Sequence, residues 1–452
     1  RSFVCTLLGI LMIAGGSTAT AQQSALHTLL SPDMQSYGRF GTSIAPAGDA
    51  NRDGIPDIVI GAPSEGDERP GQAYVFSGAD GTVLHRLTSD EPQKRGDFGF
   101  AVAGVQGEET AHVVVAAPRE SAGRDAPRGG NAYLFEGDTG ALRDAVDSPN
   151  EGPNGRMGFT VQAMPDFDGD GIRDLAVGAP SEGISNDPPT TGRAYILSGD
   201  DGDDLFEVEP PQPGTRLFGY AVAGAPDVNG GGAPDLIVGS VGGASQERYA
   251  GAVYVYTGEN ERLLMRLSSP NEAADGRFGS AVAAVSDVNG DGTADIVVGA
   301  PGESTTDGPE AGRAYILSGA NGELLHTLVS PTAQSNGRFG ESVAAGVDID
   351  GDGVHDVLVD APSEASSAGR VHIFSGADGS LIHTLQSPRN AINGGFGSAI
   401  AVIDDLDGDM APDLLVGATG ESHPNGTERT GAAYVFSSTP LVTGAARASN
   451  DQ

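Results

Sequence analysis

Five stretches of this sequence set oxygen-bearing side chains at one fixed interval, a pattern whose natural chemistry is the binding of a hard cation. The pattern is D-x-[DN]-x-D-G-x-x-D. It is supplied by Asp49, Asn51, Asp53 and Asp57; by Asp166, Asp168, Asp170 and Asp174; and by Asp287, Asn289, Asp291 and Asp295. Asp348, Asp350, Asp352 and Asp356 supply it again, as do Asp405, Asp407, Asp409 and Asp413. Oxygens at positions 1, 3, 5 and 9 can converge with the position-7 carbonyl, and glycine at position 6 permits the positive φ of a sharp turn. The last stretch has Met410 in place of that glycine, so its turn is expected to be strained and its affinity lower. Two further stretches are poorer. Asp227, Asn229 and Asp235 are kept, but Gly231 at position 5 leaves a doubtful site. The segment VQGEETAH (105–112) is three residues shorter and predicts no metal.

An EF-hand would need a Glu at position 12 and a helix on each side. Ile60, Val177, Val298, Val359 and Val416 stand there instead, each inside an apolar, strand-like run. The loops are therefore expected to join adjacent strands. Asp, Asn and Gly are also ordinary turn formers, and one such loop alone would say little. Five in one register say more, because they hold 18 aspartates whose mutual repulsion calls for a counter-charge. The expected cofactor is Ca²⁺ at about five sites, acting structurally.

What must position these loops is a repeated unit. Phe-Gly opens it at Phe40, Phe98, Phe218, Phe278, Phe339 and Phe396, with Met157-Gly158 standing in once, at spacings of 57 to 61 residues. The first aspartate follows nine residues later in six of the seven units. Each unit continues through an apolar run such as DIVVGAP (295–301), then GRAYILSGANG (312–322) and ELLHTLVSP (323–331). These are four short β-like runs separated by Gly, Pro, Asn and Asp turns. The last unit stops after its third run, GAAYVFSS (431–438), whereas ALHTLLSP (25–32) precedes the first Phe-Gly. That stray strand is expected to complete the seventh sheet and close a ring, removing open edges at the seam. The fold class is thus all-β: a seven-bladed β-propeller of four-stranded antiparallel blades.

Phe-Gly, an Asp-rich loop, then Gly-Ala-Pro at 61–63, 178–180 and 299–301 resembles the FG-GAP repeat. That repeat builds the N-terminal propeller of integrin alpha chains and of related secreted bacterial proteins. The resemblance implies calcium in the hairpin loops between the first and second strands, and a ligand face at the opposite end of the ring.

The N-terminus reads as an export signal over residues 1–21, with an apolar run, FVCTLLGILMIAGG, too short to span a bilayer. The propeller is assigned to 22–438 and a short tail to 439–452. Cys5, the only cysteine, lies inside the signal, so the mature chain would have no disulfide. The formal charge of −37 excludes nucleic acid and anionic membranes as partners. With no long apolar segment elsewhere, no membrane insertion is expected. The chain is read as secreted, extracellular or cell-surface, with a periplasmic location also open.

Other signals carry less. RGD (95–97) occupies the turn before Phe-Gly, where other units read NGRFG or DGRFG. His27, His85, His326 and His383 recur in register, as cross-strand packing positions do. The arginines of GRFG (Arg39, Arg277 and Arg338) are read as turn or inter-blade contacts for the same reason. No nucleophile elbow, zinc-protease helix or phosphate loop is found. The leading expectation is a non-enzymatic calcium-binding propeller for adhesion or for binding a protein or cell-surface ligand. The alternatives are an extracellular hydrolase or lyase on the same fold, or a glycan-binding lectin, against which the absence of Trp weighs.

Overall fold

The computed structural model describes residues 23–107, 111–121, 127–150, 153–183, 191–212, 214–242, 248–259 and 262–439. The expected signal segment and residues 440–452 of the tail lie outside the described residues. Seven four-stranded sheets account for nearly all the regular structure. In the first blade the strands are Ile44–Gly48, Asp57–Ala62, Gln72–Phe76 and Val83–Leu87, paired antiparallel in chain order. The seventh blade takes three strands from the C-terminal end, Phe396–Ile403, Asp413–Ala418 and Ala432–Phe436. Its fourth is His27–Leu30, in register from His27 opposite Val435 to Leu30 opposite Ala432. The ring is closed by the N-terminal strand, as the divided repeat predicts.

The first strands of successive blades pack on one another around the axis, and Phe396–Ile403 returns to Ile44–Gly48. Second and third strands are buried at almost every residue, because each sheet is covered on both faces by a neighbour. Fourth strands such as Val83–Leu87 are largely open to solvent. Seven apolar clusters fill the seams. One combines Phe40, Ile58, Ile60 and Tyr74 of the first blade with Leu415, Ala433 and Val435 of the seventh.

The two halves of the repeat motif meet at these seams. The Phe of each Phe-Gly is fully buried against the aromatic residues of its own third strand. Phe40 lies 6.0 Å from Tyr74 and 5.7 Å from Phe76, ring centre to ring centre. It also bridges in parallel to Gly431 of the preceding blade, as Phe98 does to Gly71. The Gly of Gly-Ala-Pro approaches the Gly of the next blade's Phe-Gly so closely that no side chain fits between them.

Candidate functional site

Each aspartate loop spans the hairpin between a first and a second strand. The position-9 residue opens the second strand and is fully buried: Asp57, Asp174, Asp235, Asp295, Asp356 and Asp413. Its carboxylate stitches two loops together. Asp57 Oδ2 accepts from the amide of Ala50 at 2.8 Å, while its Oδ1 accepts from Gly78, in the turn between strands three and four, at 3.0 Å. Asp174, Asp295 and Asp356 repeat the arrangement with Gly199, Gly319 and Gly376. Burial pushes these carboxyls upward against those hydrogen bonds, Asp356 and Asp413 to about 7.

The position-1 carboxylate caps the loop itself. Asp348 accepts from Gly351 (2.7 Å), Asp352 (3.2 Å) and Gly353 (2.9 Å), and Asp405 accepts from Gly408, Asp409 and Met410. Position 3 accepts from the amide of position 5, and position 5 from that of position 7. Side chains thus satisfy the loop's backbone donors in sequence.

Three loops bring carboxylate oxygens of positions 1, 3 and 9 within 4.8 Å of one another: Asp166, Asp168 and Asp174; Asp348, Asp350 and Asp356; Asp405, Asp407 and Asp413. The position-5 residues Asp170, Asp352 and Asp409 stand outside these clusters, held to the amides of Ile172, Val354 and Ala411. In the first and fifth blades an asparagine takes position 3. Its amide nitrogen faces the buried acid, Asn51 to Asp57 and Asn289 to Asp295, both at 3.4 Å. Asp49 and Asp287 cap those loops, while Asp53 and Asp291 receive the position-7 amides. In the fourth blade Asp227 caps in the same way and Asn229 bonds Asp235, with no carboxylate at position 5.

The three carboxylate clusters fit a hard divalent cation. Their donors are all oxygen, and the buried Asp413 Oδ1 has no hydrogen-bond partner in the protein. Met410 sits at φ +72° and is 92% exposed, so the expected strain is present there.

A second set of buried acids escaped sequence reasoning. Four residues after the Gly-Ala-Pro glycine stands a glutamate that is buried in six blades: Glu65, Glu120, Glu182, Glu303, Glu364 and Glu421. Tyr74 donates to Glu65 at 2.6 Å, and Ser31, just past the end of the preceding blade's last strand, bonds it as well. Tyr133, Tyr195, Tyr315 and Tyr434 repeat the role, with Ser89, Ser148, Ser269 and Ser387. Burial holds Glu65, Glu120 and Glu303 above the usual carboxylate range, against the pull of these hydroxyls. The signal was in the sequence, as Ser-Glu or Glu-Ser recurring in PSEG (63–66) and PGES (301–304).

In the sixth blade His372 replaces the tyrosine, which brings Ser330, His372 and Glu364 together. Ser330 and Glu364 both face Nε2, at 3.3 and 3.6 Å, while Nδ1 meets Thr384. All three are buried, and no relay through the two ring nitrogens links serine to acid. The constellation is therefore another inter-blade clamp. The RGD tripeptide is not displayed as a ligand either: Asp97 is buried and pairs with Arg119 at 2.9 Å. His27 and His326 reach the next blade, meeting the carbonyls of Gly78 and Ala377.

At the opposite end of the ring the segments between second and third strands run from eight residues (362–369) to thirteen (118–130, 180–192 and 419–431). They surround a recess near the axis lined by Arg39, Arg338, Glu341 and Asp360 among others. Phe100, Phe159 and Tyr220 form an aromatic arc, with ring centres 5.2 and 5.0 Å apart.

Fold and loops together define a seven-bladed propeller of Phe-Gly/Gly-Ala-Pro units with aspartate-rich hairpins. The FG-GAP repeat family matches residues 40–76, 157–197, 278–317, 339–374 and 396–436. These are the five blades with complete aspartate loops; the second and fourth, which lost ligands, go unmatched. Integrin alpha-4 of Xenopus laevis is 34% identical over 187 residues, covering 39% of this chain and 18% of that protein. Integrin alpha-2 of Bos taurus is 32% identical over 220 residues (46% and 18%), and integrin alpha-11 of Homo sapiens 33% over 194 (40% and 16%). The aligned stretches span less than a fifth of these relatives' own length. The chain is a seven-bladed β-propeller that carries five FG-GAP repeats and is similar, over part of its length, to integrin alpha chains.

Proposed function

We propose that this chain is a secreted, non-enzymatic calcium-binding propeller for adhesion or for capturing a protein or cell-surface ligand. Calcium occupies about five of the hairpin loops and holds adjacent strands together. The ligand docks on the opposite face. The observation that carries this reading is the contrast between the two ends. Six of the cation-end hairpins are eight or nine residues long and capped by the same side chains, whereas the other end varies in length and composition from blade to blade. Variable loops on a rigid ring are where binding specificity is placed. The likeness to integrin alpha chains supports adhesion, and the apolar run FVCTLLGILMIAGG, which has the pattern of an export signal, supports an extracellular setting. Among the described residues no helix is long and apolar enough to cross a membrane.

The test is a protein and glycan array probed with the chain in calcium and in EDTA, alongside melting curves in both. Capture of a partner, and a melting temperature lowered by EDTA, are expected. A chain that binds nothing, or melts identically in EDTA, contradicts the reading.

A further inference from the structure

The recess at the axis, about 740 Å³ between the sixth, seventh and first blades, is lined by four arginines: Arg39, Arg69, Arg338 and Arg429. The chain as a whole carries −37 with only 25 basic residues, so four guanidiniums around one hollow are a concentrated exception. Arg338 pairs with Glu341 at 3.0 Å. Arg39, Arg69 and Arg429 form no ion pair among the described residues and are exposed. The other acid of the lining, Asp360, is wholly buried, and burial with Glu341 nearby pushes its carboxyl well above the usual range. It contributes little negative charge to offset the arginines.

All four arginines sit at positive φ, at 61, 63, 58 and 49°. A side chain there costs on the order of 1 kcal/mol where glycine would be free. The seventh blade uses glycine at the position equivalent to Arg39 (Gly395, φ 61°). The same φ recurs outside the recess, at Asp97, Arg156, Leu217 and Arg277 and at Arg128, Tyr249 and Glu310, so it belongs to the repeated turns, where glycine is accepted without strain.

We propose that this recess binds an acidic saccharide, a sugar bearing carboxylate or sulfate groups. The arginines would fork onto the anionic groups, as guanidinium does with planar and tetrahedral oxyanions. Ser64, Ser363, Ser367 and Asn393 add hydroxyl and amide partners for sugar hydroxyls, and Tyr37, 47% exposed, offers a ring at the rim. An acidic peptide suits the lining less well. Protein partners draw their energy from aromatic and aliphatic anchors seated in apolar pockets, and apolar side chains are scarce here. The volume lies within the usual range for small-ligand sites. This inference rests on the ligand-binding reading above and names the chemistry of that same face.

Calorimetric titration of the calcium-loaded chain tests it with four probes. These are an oligogalacturonate tetramer, a sulfated tetrasaccharide, a neutral glucose tetramer and a hexaglutamate peptide. At least one acidic sugar should bind at least tenfold tighter than the neutral tetramer and the peptide, more weakly as salt is raised; the first two probes separate carboxylate from sulfate recognition. The triple variant R39G/R69G/R429G should lose at least tenfold in affinity with an unchanged or higher melting temperature, because glycine accepts the native φ. Equal binding of the neutral sugar, tighter binding of the peptide, or undiminished binding by the variant each overturns the proposal. If neither acidic sugar binds while the chain still captures a partner on the array, this inference falls and the ligand-binding reading stands. Silence on the array as well removes both.

Discussion

Gly61 and Gly99 meet across the seam between the first and second blades, where a Cβ on Gly61 would lie 1.9 Å from the carbonyl oxygen of Gly99. The same approach joins Gly178 to Gly219, Gly239 to Gly279, Gly299 to Gly340 and Gly417 to Gly41, at 2.1 to 2.2 Å. The obstacle is backbone, which cannot swing aside as a side-chain tip can. Gly61→Ala should therefore push two blades apart and cost about 1–3 kcal/mol, the range of core overpacking. Urea denaturation in saturating calcium reads the loss; a variant as stable as the parent would mean the seam is looser than this geometry requires.

Met410 offers the reverse experiment. Its φ of +72° lies in the left-handed region that Gly54, Gly171, Gly292 and Gly353 occupy at 89 to 93° in the sister loops, and its side chain is 92% exposed. Met410→Gly removes left-handed strain and loses no buried contact, while adding some unfolded-chain entropy. A net gain of about 0.5–1 kcal/mol is expected from those opposing terms. Calcium should also bind the seventh loop more tightly in titrations. A fall in melting temperature would show that Met410 makes contacts that glycine cannot replace.

The ring, its closure and the loop register were legible because repetition turns one ambiguous segment into seven comparable ones. The fourth strand missing after Ala432–Phe436 and present at His27–Leu30 is a topological statement that sequence can make alone. Glu65 and its counterparts were not read, since glutamate after a strand looks like a solvated loop residue. Only the fold reveals that Tyr74 and Ser31, nine and thirty-four residues away, converge on it. The GRFG arginines were legible as turn residues, and their positive φ agrees. That Arg39 would open onto a shared recess beside Arg429 depends on the closed ring bringing the first and seventh blades together.

Asp360 stands where five other blades keep the Gly-Ala-Pro glycine, fully buried, with Oδ1 accepting from Ser342 at 2.7 Å and Oδ2 without a partner. Burial, then the charge of Glu341, raise its carboxyl well above 3.8. The native state thus holds a proton that the unfolded chain releases near pH 4. The associated stability is full below that pH and is lost as pH rises toward the native value, by at most about 1.4 kcal/mol per pH unit. Asp360→Asn keeps the acceptor and cannot ionise. Its stability relative to the parent should climb between pH 4 and pH 7 in urea titrations at fixed calcium. A difference independent of pH would remove Asp360 as the source.

The aspartates of one loop should separate into two kinds by their response to calcium. Asp348 holds three backbone amides within 3.2 Å, so it supports the turn whether or not a cation is bound. Asp348→Ala should lower the melting temperature in EDTA and in calcium alike, by about 1–3 kcal/mol for the donors left without a partner. Asp350 receives only the amide of Asp352, at 3.1 Å, and Asn51 and Asn289 show that an amide side chain serves that position. In Asp350→Asn the acceptor survives and one negative charge is removed from a cluster whose other carboxylates, Asp348 and Asp356, lie within 4.8 Å. Without calcium, that relief of repulsion should leave the variant as stable as the parent or slightly more so. With calcium, the added stability should reach half its value only at several-fold higher ion concentration, because ligand charge sets affinity in such sites. Equal losses for both variants in both conditions would mean that the loop is an ordinary turn in which calcium plays no part.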